Sequence, residues 1–170
     1  MTTSNKNQYE HITHPFPPLY DEHSEILILG SLPSVKSREQ MFFYGHPQNR
    51  FWKVLSAVLG EAVPKTIEEK KRMLLKNHIA LWDTIYSCDI IGSSDSSIRN
   101  VVPTDLRRII AESAVSRIYC NGKTSGKYFE KYQQKTLGME AQVLPSTSPA
   151  NAAYSVDKLI QVWAEALQNR

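Results

Sequence analysis

Ile26-Leu27-Ile28-Leu29-Gly30-Ser31-Leu32-Pro33-Ser34 is an apolar run that ends in a small, polar turn. Four aliphatic residues without polar alternation are typical of a strand buried on both faces of a parallel sheet. Gly30 and Pro33 end the run, so the turn lies at the carboxyl end of the predicted strand. Ligands bind at this edge of a parallel sheet, and the turn is therefore a candidate site segment.

Downstream, strand patterns alternate with helical ones. Further strands are predicted at residues 79–82, 116–120 and 141–144, and helices at residues 49–59, 66–77, 104–110, 123–134 and 155–167. Thr66 with Glu69 has the sequence of a capping box, and Thr104 is expected to cap its helix. Residues 87–103 are rich in Ser, Asp and Gly and are predicted to form a long loop.

This alternation predicts an α/β fold, a three-layer α/β/α sandwich with a central four-stranded, mainly parallel sheet. The chain has 170 residues, enough for one core, so we expect a single domain at residues 24–170. Residues 1–23 are polar and rich in proline, and we expect a loosely ordered tail there. Without an apolar signal segment or a membrane-spanning run, the sequence favours a cytoplasmic protein, which we expect to be monomeric.

Metal-ligand patterns are weak. Cys88 and Cys120 are far apart and form no CxxC pair, and His11 and His14 have no further ligands near them in sequence. We therefore expect no metal, iron-sulfur cluster or cofactor. The net charge of +3 permits nucleic acid as a partner without requiring it.

The densest cluster of chemistry-bearing residues is Phe42-Phe43-Tyr44-Gly45-His46-Pro47-Gln48-Asn49-Arg50-Phe51-Trp52. A loop aromatic such as Tyr44 or Phe43 can stack on a nucleobase, which contributes about 1–3 kcal/mol per base. Asn49 stands where a helix is predicted to begin. It is a candidate functional amide, and a helix N-cap is the structural alternative.

Gly30-Ser31-Leu32-Pro33, the block from His46 to Trp52, and Leu144-Pro145-Ser146-Thr147-Ser148-Pro149 together resemble the uracil-DNA glycosylase superfamily. The order and approximate spacing are similar to those of its mismatch-specific branch. The combination most resembles the hypoxanthine-DNA glycosylase branch, the DNA-deoxyinosine glycosylases. The resemblance implies a base-excision repair enzyme that hydrolyses the N-glycosidic bond of deaminated bases, above all hypoxanthine, and leaves an abasic site.

Two positions depart from the wider superfamily pattern. Leu32 stands where most members carry the Asp or Asn that handles the attacking water, and Leu144 stands where several carry a His or Asn that supports the departing base. Neither leucine can hydrogen-bond through its side chain. Asn49 is therefore the candidate catalytic residue that replaces the missing amide.

Asp83 ends the second predicted strand, where other members carry a base-reading residue, and Ser31 lies in the first turn; both are base-binding candidates. A carboxylate can accept the N1–H of hypoxanthine or the N3–H of uracil. Adenine has no proton at N1, so it would leave the acceptor unpaired. The alternative for Asp83 is a turn cap.

The Pro-Ser loop after the last strand is similar to the superfamily segment that holds DNA phosphates. The DNA-binding candidates are Pro145, Ser146, Ser148, Asn151 and Lys123. Asn151 or Tyr154 is a candidate to fill the gap that a flipped nucleotide leaves in the duplex. Further candidate cations for the DNA phosphates are Arg50, Lys36 and Lys127. The turn Asn121-Gly122-Lys123-Thr124 contains half of a P-loop but lacks its first glycine. We interpret this turn as scaffolding or as a phosphate contact.

No dedicated nucleophilic lysine stands in these motifs, so the sequence predicts a monofunctional glycosylase acting on damaged DNA. Two alternatives remain open. One is a G·U mismatch-specific uracil-DNA glycosylase, and the other is a non-catalytic DNA-binding module of the same fold, which Leu32 favours.

Overall fold

The computed structural model describes residues 8–168. Its strands are β1 (Glu10–Thr13), β2 (Ile26–Gly30), β3 (Ile79–Asp83), β4 (Ile85–Ile90), β5 (Arg99–Pro103), β6 (Arg117–Asn121) and β7 (Ala141–Leu144). Its α-helices are α1 (Val35–Gln40), α2 (Phe51–Leu59), α3 (Ile67–Lys76), α4 (Arg107–Glu112), α5 (Lys123–Tyr132), α6 (Gln134–Leu137) and α7 (Val156–Gln168). A short 3-10 turn lies at Asp95–Ser97.

The central sheet has the strand order β3-β2-β6-β7, and all of its pairings are parallel. These are the four predicted strands, so the α/β fold with a four-stranded parallel sheet flanked by helices is confirmed. Every residue of β2 is buried because the strand lies inside the sheet and is covered on both faces. The register brings Gly30 of β2 opposite Asp83 of β3. The carboxyl ends of the strands therefore meet at one edge.

A second, antiparallel sheet has the order β1-β4-β5. It corrects the prediction of a loop over residues 87–103, since β4 and β5 pair there with register shifts. Ser, Asp and Gly are concentrated in the connection that contains the 3-10 turn, whereas β4 contains Ile85 and Ile90 and β5 contains Val101 and Val102. Pairing of β4 with both β1 and β5 makes these two stretches strands.

The N-terminal segment is also more ordered than predicted. Residues 1–7 of the expected tail lie outside the described residues, but β1 pairs with β4 from Glu10 onward. His14 and Phe16 are buried, and Leu19 exchanges two backbone hydrogen bonds with Leu81 of β3. The expectation of a loosely ordered tail is wrong for this part, because β1 pairs with β4 and the side chains of His14 and Phe16 pack into the interior.

Helix starts follow the predicted caps in one case and not in the other. Thr66 and Glu69 form the capping box at the start of α3. Thr104 does not cap α4: its hydroxyl donates to the Asp83 carbonyl over 2.7 Å, and Asp105 accepts from the backbone N–H of Arg107. Among residues 8–168, no helix has the length and apolar character needed to cross a bilayer.

Candidate active site

A cavity of about 440 Å³ opens at the carboxyl edge of the central sheet. Its walls come from the turn after β2, the loop before α2, the ends of β3 and β6, the connection between β4 and β5, and the loop after β7. Among the residues predicted for the site, those in the wall are Ser31, Phe43, Tyr44, Asn49, Asp83, Lys123, Ser146 and Ser148. The strand-end rule thus brings together segments as far apart in sequence as Gly30 and Ala150.

Asn49 uses one half of its amide inside the protein and leaves the other half free. Its Oδ1 accepts from the backbone N–H of Phe51 over 2.9 Å and from the hydroxyl of Thr147 over 2.8 Å. The backbone donor requires an oxygen at this position, which fixes the orientation of the amide. The Nδ2 group has no hydrogen-bond partner among the described residues and belongs to the cavity wall. Asn49 therefore satisfies the N–H of the first residue of α2 from one position before the N-cap residue, Arg50, and keeps a free donor.

Thr147 connects Asn49 to the end of β6. Asn121 donates through Nδ2 to the Thr147 hydroxyl over 3.0 Å and accepts the Thr147 backbone N–H over 3.0 Å. With its oxygen accepting from Asn121, the Thr147 hydroxyl directs its own proton to Asn49. Thr147 is fully buried. The side-chain donors therefore follow one another from Asn121 through the Thr147 hydroxyl to Asn49, which lies in the cavity wall.

Asp83 is buried at the cavity wall, with only 4% of its surface exposed. Its Oδ2 lies 2.6 Å from Nε2 of His14, whose ring is buried. Its Oδ1 lies beside Gly30, where a Cβ would stand only 2.5 Å from that oxygen. The absence of a side chain at Gly30 thus leaves room for the carboxylate.

The two predicted base-stacking residues have different surroundings. Phe43 is buried and packs edge-on against Phe16, with ring centroids 4.8 Å apart. Tyr44 has one face stacked on Phe51 at 4.0 Å, and its backbone has a φ of 51°. Burial, with Asp83 nearby, raises the pKa of the Tyr44 hydroxyl, so that group stays protonated. It is a buried hydroxyl without a normal hydrogen-bond partner, next to the cavity.

Comparison with known proteins decides the family. The family model described as the uracil DNA glycosylase superfamily matches residues 17–168. The chain belongs to the uracil DNA glycosylase superfamily. Two curated relatives, both named hypoxanthine DNA glycosylase, are 38% and 36% identical to this superfamily member. The first, from Methanosarcina acetivorans, aligns over 84% of this chain and 90% of its own length. The second, from Methanosarcina barkeri, aligns over 90% and 96%.

A solved structure agrees with this assignment to the superfamily. The solution NMR structure of a candidate uracil DNA glycosylase from Methanosarcina acetivorans superposes with a TM-score of 0.77 at 34% identity. The match covers 91% of this chain and 95% of that one. The resemblance expected from the motifs is therefore confirmed over nearly the whole fold.

Arg50 holds the Pro-Ser loop of this superfamily member and is not free for phosphate. Its guanidinium donates to the carbonyls of Thr147, Ser148, Asn151 and Tyr154, with Nη2 to Ser148 O at 2.7 Å. The prediction of Arg50 as a phosphate-binding cation is wrong, because four of its five N–H donors are already used by main-chain carbonyls. Its planar fork is suited to several acceptors at once.

The Pro-Ser loop keeps several donors for a ligand. The hydroxyls of Ser146 and Ser148 accept backbone N–H groups of the same loop, which leaves their own protons available. Lys123 is exposed at the start of α5, where Gly122 has a φ of 100°. Pro145 and Asn151 are not in the cavity wall: the Pro145 carbonyl accepts from Trp163, and the Asn151 amide donates to the Ser146 carbonyl.

His14, Asn121 and Thr147 are site residues that were not among the predicted ones. Asn121 follows a strand end, so the rule that selected Asp83 also pointed to it. Thr147 lay between two selected serines. His14 carried little signal, because its segment shows no strand or helix period. Among residues 8–168, no group of three or more His, Cys, Asp or Glu side chains is arranged to hold a metal ion.

Proposed function

We propose that this chain is a monofunctional DNA glycosylase that removes deaminated bases, above all hypoxanthine, and leaves an abasic site. The names of the curated relatives support this substrate. The structural observation that carries it is a cavity wall with a fixed acceptor, Asp83, and a fixed donor, Asn49 Nδ2. We propose that the chain acts as a cytoplasmic monomer without metal or cofactor.

The acceptor explains selection of a deaminated purine. Deamination of adenine gives hypoxanthine, which carries a proton on N1 where adenine has a lone pair. Asp83 satisfies that N1–H, whereas adenine would face the carboxylate with a second acceptor, which leaves a buried group unpaired. The N3–H of uracil fits the same acceptor, so uracil is the second candidate substrate.

The chemistry requires an extruded nucleotide. An inosine pair is weaker than a normal pair, which lowers the cost of flipping the base into the cavity. The C1′–N9 bond breaks and its electron pair leaves with the base. The oxygen of a water molecule bonds to C1′, and the proton that this water loses neutralises N9 of the base. Hydrogen bonds that strengthen as charge develops contribute most to the rate.

Within this scheme, the side chains have separate roles. Asp83 and Ser31 contact the base edge, and Tyr44 and Phe43 form the aromatic wall. Asn49 is proposed to hold the attacking water through Nδ2, which donates to the oxygen of that water and leaves its lone pair toward C1′ free. The DNA strand is held by Ser146, Ser148 and Lys123, with Pro145 shaping the loop and Asn151 filling the gap left by the flipped nucleotide.

A panel of labelled duplexes tests the proposal. Deoxyinosine, uracil, xanthine and thymine are each placed opposite every normal base, and free base and abasic sites are measured with and without a chelator. We expect hypoxanthine release that is insensitive to the chelator, without strand cleavage. Retardation of the duplexes without release of any base would identify a binding module. A preference for uracil opposite guanine would identify the mismatch enzyme.

A further inference from the structure

We propose that His14 is a positioning residue that holds Asp83 as a hydrogen-bond acceptor for the base edge. This inference rests on the proposed function, because it assigns a task to Asp83 in the same cavity. His14 precedes residues 17–168, which the superfamily model matches. The N-terminal segment would then be part of the site.

The contact between His14 and Asp83 is short and shielded from solvent. Nε2 lies 2.6 Å from Oδ2, with 0% of the His14 side chain and 5% of the Asp83 side chain exposed. Nδ1 of His14 is buried and has no hydrogen-bond partner. Nε2 is therefore the ring nitrogen that donates to the carboxylate.

The surroundings of His14 fix the ring in place. Its backbone N–H donates to the carbonyl of Tyr86 over 2.7 Å, next to the pairing of β1 with β4. The ring packs against Trp82 at 4.2 Å and against Phe16 at 4.7 Å between centroids. Since Trp82 directly precedes Asp83 on β3, the same contact orders the strand end that carries the carboxylate.

The hydrogen bond from His14 to Oδ2 of Asp83 leaves Oδ1 of the same carboxylate as the acceptor for a base. Oδ1 lies beside Gly30 at the cavity wall and has no hydrogen-bond partner among the described residues, so it can accept from a base. Without the His14 donor, the buried carboxylate lacks a partner and is relieved by rotating away or by taking up a proton. A protonated carboxyl can also donate to N1 of adenine. Loss of His14 should therefore weaken selection as well as rate.

A double-mutant cycle tests this role. His14→Met removes the donor at similar length, Asp83→Asn removes the carboxylate, and the pair combines both. His14→Gln keeps an N–H at a comparable reach. His11→Met is the matched control, because His11 lies on the same N-terminal segment but is exposed and pairs with Asp89.

Two quantities are measured for every variant, with thermal unfolding alongside. One is the single-turnover release of hypoxanthine. The other is the affinity for a duplex containing non-hydrolysable 2′-fluoro-inosine, relative to the same duplex with adenine. This binding measurement can also be made on variants that are too slow for the first assay. We expect His14→Met to lower rate and selectivity about tenfold or more, with little further effect in the Asp83→Asn background. His14→Gln should recover most of both, and His11→Met should match the wild type.

The outcomes separate this role from the proposed function. A wild-type protein that releases no base overturns the proposed function and this role together. An active wild type whose His14 and Asp83 effects are additive overturns the positioning role alone. The positioning role is also overturned if folded His14→Met protein is less stable than the wild type but has the same rate and selectivity. If His14→Met does not fold, a folded His14→Gln variant with a tenfold loss of selectivity would also contradict the role.

Discussion

The hydroxyl of Thr147 donates a hydrogen bond to Oδ1 of Asn49 over 2.8 Å, across a separation of 98 residues in sequence. This contact joins the loop before α2 to the loop after β7. It also decides which end of the Asn49 amide reaches the cavity. The oxygen is held inside the protein, so a ligand meets the NH₂ group.

Replacing Asn49 by aspartate separates capping from catalysis. Asn49→Asp keeps an oxygen for the Phe51 N–H and the Thr147 hydroxyl but has no donor for the cavity. We expect near-normal thermal stability and a single-turnover rate on inosine-containing DNA lower by at least about a hundredfold, roughly 2.7 kcal/mol of barrier. Asn49→Ala should also lose the cap, at about 0.5–2 kcal/mol of stability. A folded Asn49→Asp variant with a normal rate would remove Asn49 from the catalytic residues.

Thr147 should matter through its hydroxyl. Thr147→Val keeps the shape of the side chain but leaves Oδ1 of Asn49 and Nδ2 of Asn121 without this partner. We expect a loss of about 1–3 kcal/mol in the free energy of unfolding and a lower rate of base release. Urea unfolding and single-turnover assays measure the two effects. Thr147→Ser is the control and should retain most of the rate; equal losses in both variants would argue against the hydroxyl.

Arg50 should be needed for the conformation of the Pro-Ser loop. Arg50→Lys keeps the charge but cannot reach four carbonyls with one ammonium group. We expect the free energy of unfolding, measured in urea, to fall by about 1–3 kcal/mol. Arg107→Lys is the matched control at an exposed ion pair and should leave the free energy of unfolding nearly unchanged. Equal stability of the two variants would contradict a role for Arg50 in holding the Pro-Ser loop.

Lys123 should contribute to the salt dependence of DNA binding. Each phosphate that a cation neutralises adds about 0.9 to the slope of log affinity against log salt. Fluorescence anisotropy at several salt concentrations should therefore show a slope smaller by about that amount for Lys123→Gln. Lys65→Gln removes an exposed charge that is not in the cavity wall and should leave the slope unchanged. An unchanged slope for both variants would place Lys123 away from the DNA.

The central sheet was predictable because its strands carry their own signal. β2 and β3 are uninterrupted apolar runs that end in Gly30 and Asp83, whereas β6 and β7 contain Arg117 and Gln142 and are placed by their alternation with helices. The second sheet was not, because its pairing depends on contacts between β1 and β4, more than seventy residues apart in sequence. Ser87, Asp89 and Asn100 interrupt the apolar stretches of β4 and β5, which therefore give a weaker local signal than β2 or β3. Non-local pairing decides such segments.

The site was predictable in its members more than in its connections. Asn49 and Asp83 follow from motif order and from the strand-end rule, which places them in one cavity wall. Their partners follow from three-dimensional packing. His14 lies in a proline-rich segment without periodicity, and the several carbonyl acceptors of Arg50 cannot be inferred from its charge. For that reason, the sequence predicts a phosphate contact for Arg50, although its guanidinium holds the Pro-Ser loop.

The Arg50 contacts have a consequence for sequence divergence. All four acceptors are main-chain carbonyls. The hydrogen bonds from Arg50 therefore depend on the backbone path between Thr147 and Tyr154, and they use no side-chain acceptor there. Substitutions at exposed positions of this loop, such as Ala152 and Ala153, can therefore accumulate without releasing it. The side chains of the loop proposed to contact DNA can therefore change while Arg50 continues to hold its backbone.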